Sequence, residues 1–229
     1  MDLGATVTTA RPDDLEEIFV LLRSGRDEKL LRRPDADYVE AIGAGLFCLA
    51  HMGERLVAVA GAFVLSAEPP AIVEMGSCYV APCARGFGLQ KLFVRARVAS
   101  VAALVDPNAR IMTAVSPQNL NSRASVLKAG FAPLEGDARL LTELCAYCPT
   151  RPDACSNRLC CCDFFYIPRE KQLGEIAALL EEPVVTVARG NGERLRVSIE
   201  VDALKGAARE RLERLVPRFS SPSPQKAAV

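Results

Sequence analysis

Apolar and polar positions recur with two different periods along this chain of 229 residues, and each change of period marks an element. The stretch "ATVTTARPDDLEEIFVLLRS" opens as a short strand and passes into a helix started around Pro12. There Asp13, Asp14, Glu16 and Glu17 complement the positive end of the helix dipole. Leu15, Ile18, Phe19 and Leu22, three and four residues apart, predict its buried face. A weaker helical pattern covers "DADYVEAIGAG". "LFCLAHM" and "RLVAVAGAFVLS" follow as two strands joined by a tight turn at Gly53 and Glu54. After "AEPP", the β-rich run Ala71 to Val80 predicts a strand closed by Pro82.

The longest helical pattern comes next, with Leu89, Leu92, Phe93, Ala96 and Ala99 on one face and an end near Leu104. "RIMTAVS" is another apolar strand, "NLNSRASVLKAG" a helix stopped by Gly130, and "FAPLE" and "DFFYIPR" a final strand pair. Beyond Pro168, "REKQLGEIAALLEE" predicts a helix with apolar Leu173, Ile176, Ala177 and Leu180. A hairpin about Gly190, Asn191 and Gly192 follows, then the closing helix "DALKGAARERLERLV". Three parts are expected: a main domain over 1–168, a helix–hairpin–helix appendage over 169–216 and a tail over 217–229 with the composition of disordered chain. The appendage is too small to fill a core alone, so it is expected to pack on the main domain or to mediate self-association as a homodimer.

Composition narrows the partners. Half of the residues are hydrophobic, and 28 acidic residues balance 28 basic ones, which argues against a nucleic-acid surface or a polybasic membrane surface. No apolar run reaches the ~18 residues of a membrane span, and the acidic beginning lacks the charged and apolar regions of a signal peptide. The expectation is a soluble cytoplasmic protein. In a reducing compartment its nine cysteines read as buried thiols, metal ligands or redox groups before they read as a disulfide framework.

The window "YVAPCARGFGLQKLF", residues 79–93, runs from strand through turn to helix. Gly86 and Gly88 stand where the first-turn N–H groups of the helix lack intrahelical partners, a place that suits an anion. Two readings stay open: a phosphate cradle, or a turn merely softened by glycine. Neither standard nucleotide fingerprint is present, since there is no G-x-x-x-x-G-K-[ST] and the G-x-G lacks a third glycine.

With the element order laid out, residues 5 to 168 resemble the GNAT superfamily of acyl-CoA N-acyltransferases. Arg85, Gly86, Phe87, Gly88, Leu89 and Gln90 are similar to the family's [QR]-x-x-G-x-[GA] loop. Asn119, Ser122, Gly130 and Phe131 keep the spacing of its N-x-x-[SA]-x-x-x-Y-x-x-x-G-F pattern. The resemblance implies an α/β (α+β) fold with a mixed, mostly antiparallel sheet flanked by helices. It also implies acetyl-CoA as cosubstrate, its pyrophosphate on the backbone amides of the loop, with Cys78, Tyr79, Val80, Asn119 and Ser122 completing the cofactor contacts. The activity implied is direct transfer of an acetyl group to a primary amine on a small molecule or a protein. Two departures stand out: Gln90 replaces a small residue in the loop, and Val126 replaces the tyrosine that in many members protonates the leaving thiolate. Valine cannot donate a proton, which motivates the alternative of a catalytically impaired module that binds CoA, metal or both.

Taking the proton from the amine calls for a base, and a carboxylate serves if burial raises its pKa or water relays the proton. Glu74, the one acid within the strand leading to the glycine turn, is the candidate, against the reading of a solvent-facing strand residue; Glu68, outside the strand, is weaker. The family's oxyanion site is a backbone N–H at a strand bulge, here within Gly76 to Tyr79. Tyr79 itself packs against cofactor or core. His51, the only histidine, reads as a surface residue, and Cys78 and Cys83 read as small buried hydrophobes.

The connection "CAYCPTRPDACSNRLCCC", residues 145–162, concentrates six cysteines. Cys145 and Cys148 form a C-x-x-C knuckle, and zinc needs four such ligands in a tetrahedron. Because neighbours on a strand point to opposite faces, Cys160, Cys161 and Cys162 cannot all meet one ion. The expected ligands are Cys145, Cys148, Cys155 and either Cys160 or Cys162, with reduced structural thiols, or a disulfide or redox pair, as the other readings.

Overall fold

The computed structural model describes residues 3–24, 33–134 and 162–216, and its strands join into one nine-stranded sheet. The first half of the chain supplies β1 (Leu3–Thr9), a short 3-10 turn (Pro12–Asp14), α1 (Leu15–Ser24), α2 (Asp35–Gly43), β2 (Phe47–Met52), β3 (Arg55–Ser66) and β4 (Ile72–Val80). There follow α3 (Leu89–Leu104), β5 (Arg110–Val115), α4 (Leu120–Lys128), β6 (Ala132–Pro133) and β7 (Asp163–Tyr166). The last part supplies α5 (Arg169–Glu181), β8 (Val184–Ala188), β9 (Arg194–Glu200) and α6 (Gly206–Leu215). Strand order across the sheet is β6-β7-β5-β4-β3-β2-β1-β9-β8.

β1 to β4 are an antiparallel meander, joined by short connections or, between β1 and β2, by the two helices. β5 lies parallel to β4, because α3 carries the chain back along the sheet before β5 begins. β7 and β6 continue antiparallel at that edge. The sheet is therefore mixed and mostly antiparallel, with helices flanking it.

At the opposite edge β9 adds to β1 in parallel, with Leu3 opposite Leu195 and Thr8 opposite Glu200, and β8 folds back on β9. The C-terminal hairpin thus extends the same sheet. α5 and α6 pack on the outer side of α3. That explains why α3 buries Val94, Val98, Val101, Ala102 and Ala103 besides the single face its periodicity predicts: it is sandwiched between sheet and helices. Two ionic contacts lock the arrangement. Arg11 donates twice to Asp202, at 2.7 and 2.9 Å. Glu175, buried between helices, accepts from Arg95 at 3.0 Å and pairs with Lys171 at 2.7 Å. Burial pushes the Glu175 carboxyl up, but the hydrogen bonds from Lys171 and Arg95 outweigh it and hold the group below its ordinary range.

Among the described residues no helix is long and apolar enough to cross a membrane.

Candidate active site

The pairing of β4 with β5 runs from Ile72 opposite Arg110 to Glu74 opposite Met112 and stops there. Just beyond, the Thr113 hydroxyl donates to the Met75 carbonyl at 2.8 Å, and the strands part. Among the described residues the remainder of β4 has no strand paired on this side, which leaves an open edge. On its other side the register with β3 slips: Gly61 faces Gly76 and Val59 faces Tyr79, so Ser77 and Cys78 stand opposite Ala60 alone. Two residues against one make a bulge, which leaves a backbone group without a ladder partner. Ser77 holds φ at +48°, in the left-handed region that a Cβ makes costly, and its hydroxyl lies 3.0 Å from that of Tyr38.

The bulge also changes the phase of the strand. Gly76 faces Phe63 and Arg33, to which an added Cβ would come within 3.4 and 3.7 Å. Past the extra residue, Cys78 turns to the α3 side, within the electrostatic reach of Arg97. One strand thereby serves two chemically different walls.

A cleft of about 580 Å³ follows the open edge from Arg33 and Glu74, past the bulge, to Gly86, Gly88, Leu89 and Gln90. Gly86 and Gly88 have φ of +87° and +75°, which only glycine adopts without strain. Gly88 immediately precedes α3, and a Cβ there would meet nothing within 4 Å. The turn is thus open to the cleft where the first N–H groups of α3 have no intrahelical acceptor.

The flanking side chains hold the turn from behind. Arg85 donates to the Val80 carbonyl at 2.9 Å and lies 5.8 Å from the Tyr79 ring. Phe87 points away from the cleft into the core, under the guanidinium of Arg189 at 4.0 Å, and Arg189 also donates to the Cys83 carbonyl. Arg189 follows β8, so the C-terminal hairpin reaches the glycine turn. Of the predicted loop contacts, Phe87 can therefore offer a ligand only its backbone. Tyr79 and Val80 border the cleft, Tyr79 being largely buried in the core.

At the other end, Glu74 is paired with Arg33, which also donates to Asp37 at 3.2 Å and lies 4.0 Å over the Phe63 ring. The Glu74 side chain is 17% exposed, so it is no solvent-facing strand residue. Burial pushes its pKa up, with the charge and hydrogen bond of Arg33 opposing.

α4 forms the facing wall with Asn119, Ser122 and Val126. The Asn119 side chain accepts from the Ser122 N–H at 3.1 Å, which makes it the cap of α4. Val126 is buried and Gly130, at φ +92°, ends the helix.

Cys83 departs from the expectation of a buried hydrophobe, and Cys78 meets it in part, packing against the core. Cys78 is half-buried on the cleft and Cys83 is exposed, because the 3-10 turn Pro82–Ala84 projects from the end of β4. His51 sits near the surface, 4.0 Å from Glu17. Of the expected zinc ligands, Cys145, Cys148, Cys155 and Cys160 lie outside the described residues. Cys162 is described, just before β7. Among the described residues no three metal-ligating side chains gather.

Three arginines escape sequence reasoning. Arg33 and Arg189 sit in polar runs without a pattern. Arg97 carried a signal, being a charge within the apolar stretch of α3.

No protein-family model matches the sequence, and no curated protein matches it. Solved structures do resemble the fold. An N-acetylglutamate synthase from Neisseria gonorrhoeae, in complex with coenzyme A and N-acetyl-glutamate, superposes with a TM-score of 0.52 at 14% identity over 71% of this chain. The match covers 34% of the synthase, so this chain spans about a third of that protein. An acetyltransferase of the GNAT family from Staphylococcus aureus Mu50 gives a TM-score of 0.51 at 16% identity, over 71% of this chain and 98% of that one. At such identities the likeness is one of architecture, and the chain has the fold of the GNAT acyltransferases.

Proposed function

We propose that the chain is an acetyl-CoA-dependent N-acetyltransferase that transfers its acyl group directly to a primary amine in a ternary complex. The observation that carries the reading is the cleft along the open edge of β4, which joins the glycine turn at one end to Glu74 at the other. Pantetheine is built from two amides, and amides pair with an unpartnered strand edge as another strand would. The pyrophosphate lies at the turn on the N–H groups of residues 86–90, and the thioester carbonyl reaches the bulge. The amine enters from the side of Arg33 and Glu74. Its nitrogen attacks the carbonyl carbon, the oxyanion rests on a backbone N–H at the bulge, and Glu74 takes the amine proton, directly or through water. Holding both reactants in one geometry does much of the work.

The test is calorimetry with acetyl-CoA together with thiol release against a panel of amines. Binding and amine-dependent release are expected. In a correctly folded Gly88→Val variant the affinity for acetyl-CoA drops by about tenfold or more, because a side chain fills the open approach. Binding without turnover on any amine would instead assign the chain as an impaired CoA-binding module, and unchanged affinity in the variant would remove the turn from the site.

A further inference from the structure

Val126 leaves a departing thiolate without the proton donor that the resemblance implies, while a different group lines the same cleft. Arg97, on α3, is 2% exposed. Its Nε donates to the Phe93 carbonyl at 3.2 Å, and its Nη1 to the carbonyls of Gly61 at 2.7 Å and Gly76 at 3.5 Å, the two residues that face each other where the β3–β4 register slips. The other terminal nitrogen, Nη2, makes no hydrogen bond among the described residues, and the side chain lines the cleft. No carboxylate pairs with it among the described residues; Glu74, the acid nearest along β4, is taken by Arg33.

The titratable groups that face Arg97 are Cys78 from β4 and Cys48 from β2. Burial pushes both thiols up, Cys48 to about 12, against the pull of the arginine, so neither supplies a counter-charge at neutral pH. Burial pushes Arg97 itself down, yet a guanidinium keeps its proton in proteins. A buried cation held by carbonyls alone is costly unless an anion comes to it.

We propose that Arg97 is the electrostatic partner of the leaving group: its fixed charge, held behind the bulge, stabilises the CoA thiolate as the C–S bond breaks. The proposal rests on the acyl-CoA reading of the cleft. In the step itself, the amine lone pair forms the C–N bond while the carbonyl π pair moves onto oxygen. That pair then returns as sulfur departs with the C–S electrons. The proton lost by the amine goes to Glu74 or water, and the thiolate takes its proton from solvent after release. A cation set in advance needs no rearrangement when charge develops, which is how such groups act most strongly. Arg97 thus does by charge what a tyrosine does by proton transfer.

The experiment reads the thiol of bound CoA. Thiolate absorbance of the CoA complex is followed against pH, with the complex of desulfo-CoA as the blank so that the protein's own cysteines cancel. In the wild-type protein the bound thiol is expected to titrate about one unit or more below free CoA, since burial alone would move it the other way. Arg97→Gln, which keeps donors for the Gly61 and Gly76 carbonyls but no charge, returns the thiol to the free value or above. It lowers kcat by roughly 10²-fold with acetyl-CoA affinity within a few-fold. Arg97→Lys keeps part of the shift. A residue that only braces the bulge would alter affinity and leave the thiol where it was. An unshifted thiol in the wild-type complex, which needs no variant to fold, overturns the role of Arg97, as does a shift that persists in Arg97→Gln. Failure of CoA to bind at all overturns the acyltransferase reading itself, and this one with it.

Discussion

Glu74 and Arg33 show how two side chains set each other's chemistry. A carboxylate in the ordinary range is a weak base, and burial in the cleft strengthens it by disfavouring the charge. Arg33 opposes that effect with its charge and hydrogen bond, and the net shift is upward. In the proposed reaction the ionised form of Glu74 is the active one, so kcat/KM falls as the pH drops through its pKa. That acidic limb is expected above the usual carboxylate value of about 4.3. Arg33→Met removes the opposing cation and moves the limb to higher pH, while Glu74→Gln abolishes it and lowers kcat by about 10²-fold, with CoA affinity nearly unchanged. A pH–rate profile of the three proteins separates these outcomes. A Glu74→Gln protein with wild-type turnover across pH would remove Glu74 from the mechanism.

Among the elements, α3 is the pivot. It begins at the glycine turn, runs behind the bulge with Arg97, and is clamped on its outer side by α5 and α6. Arg95 of α3 is tied to α5 through Glu175, whose carboxylate also pairs with Lys171 one turn away on α5 itself. The Glu175 carboxyl is held below its unfolded value, so its contribution to stability is fully present above about pH 4.3 and is lost as the pH falls through the lower folded value. Glu175→Gln is expected to destabilise the protein by about 1–3 kcal/mol at pH 7, because the half-buried Arg95 loses its counter-charge. Denaturant unfolding at a series of pH values checks the sign: the gap between the two proteins closes in acid. A gap that is constant with pH would mean that packing of the side chain, and not its charge, is what the substitution removed.

For the molecule as a whole, the C-terminal segment belongs to the same core as the rest. Ile176, Leu179, Leu195, Val197, Ile199, Val201 and Leu212 are all buried in it. Each such side chain contributes roughly 1.5–3 kcal/mol by burial, against a total stability on the order of 5–15 kcal/mol for a domain. A chain ended after Pro168 would also uncover the edge of β1 and the outer face of α3. We expect it to lose cooperative thermal unfolding and CoA binding together, as read by calorimetry and near-ultraviolet circular dichroism. A shortened chain that unfolds cooperatively and still binds CoA would make the segment a separable appendage. Because Arg189 reaches Phe87 and the Cys83 carbonyl, the hairpin also supports the glycine turn directly.

The sequence by itself determined what depends on neighbours along the chain. Period-two runs gave the strands and period-three-and-four runs the helices, because burial on one face imposes those spacings locally. The glycines at 86 and 88 marked their turn, since a positive φ is a property of one residue. Asn119 stood at the start of its helix for an equally local reason, a cap over three residues. What only the tertiary structure decided is whatever joins residues far apart. Glu74 meets Arg33 across 41 positions, Arg97 meets the Gly61 carbonyl across 36, and Arg189 meets Cys83 across 106. The pairing of β9 with β1 is of the same kind: an edge strand's pattern shows which face is apolar but not which edge it will join. The exposed Cys83 and the all-round burial of α3 follow from the placement of other elements, and no spacing encodes that. Charge pairing and burial act through space, so the groups that tune the site became visible only once the sheet had brought them together.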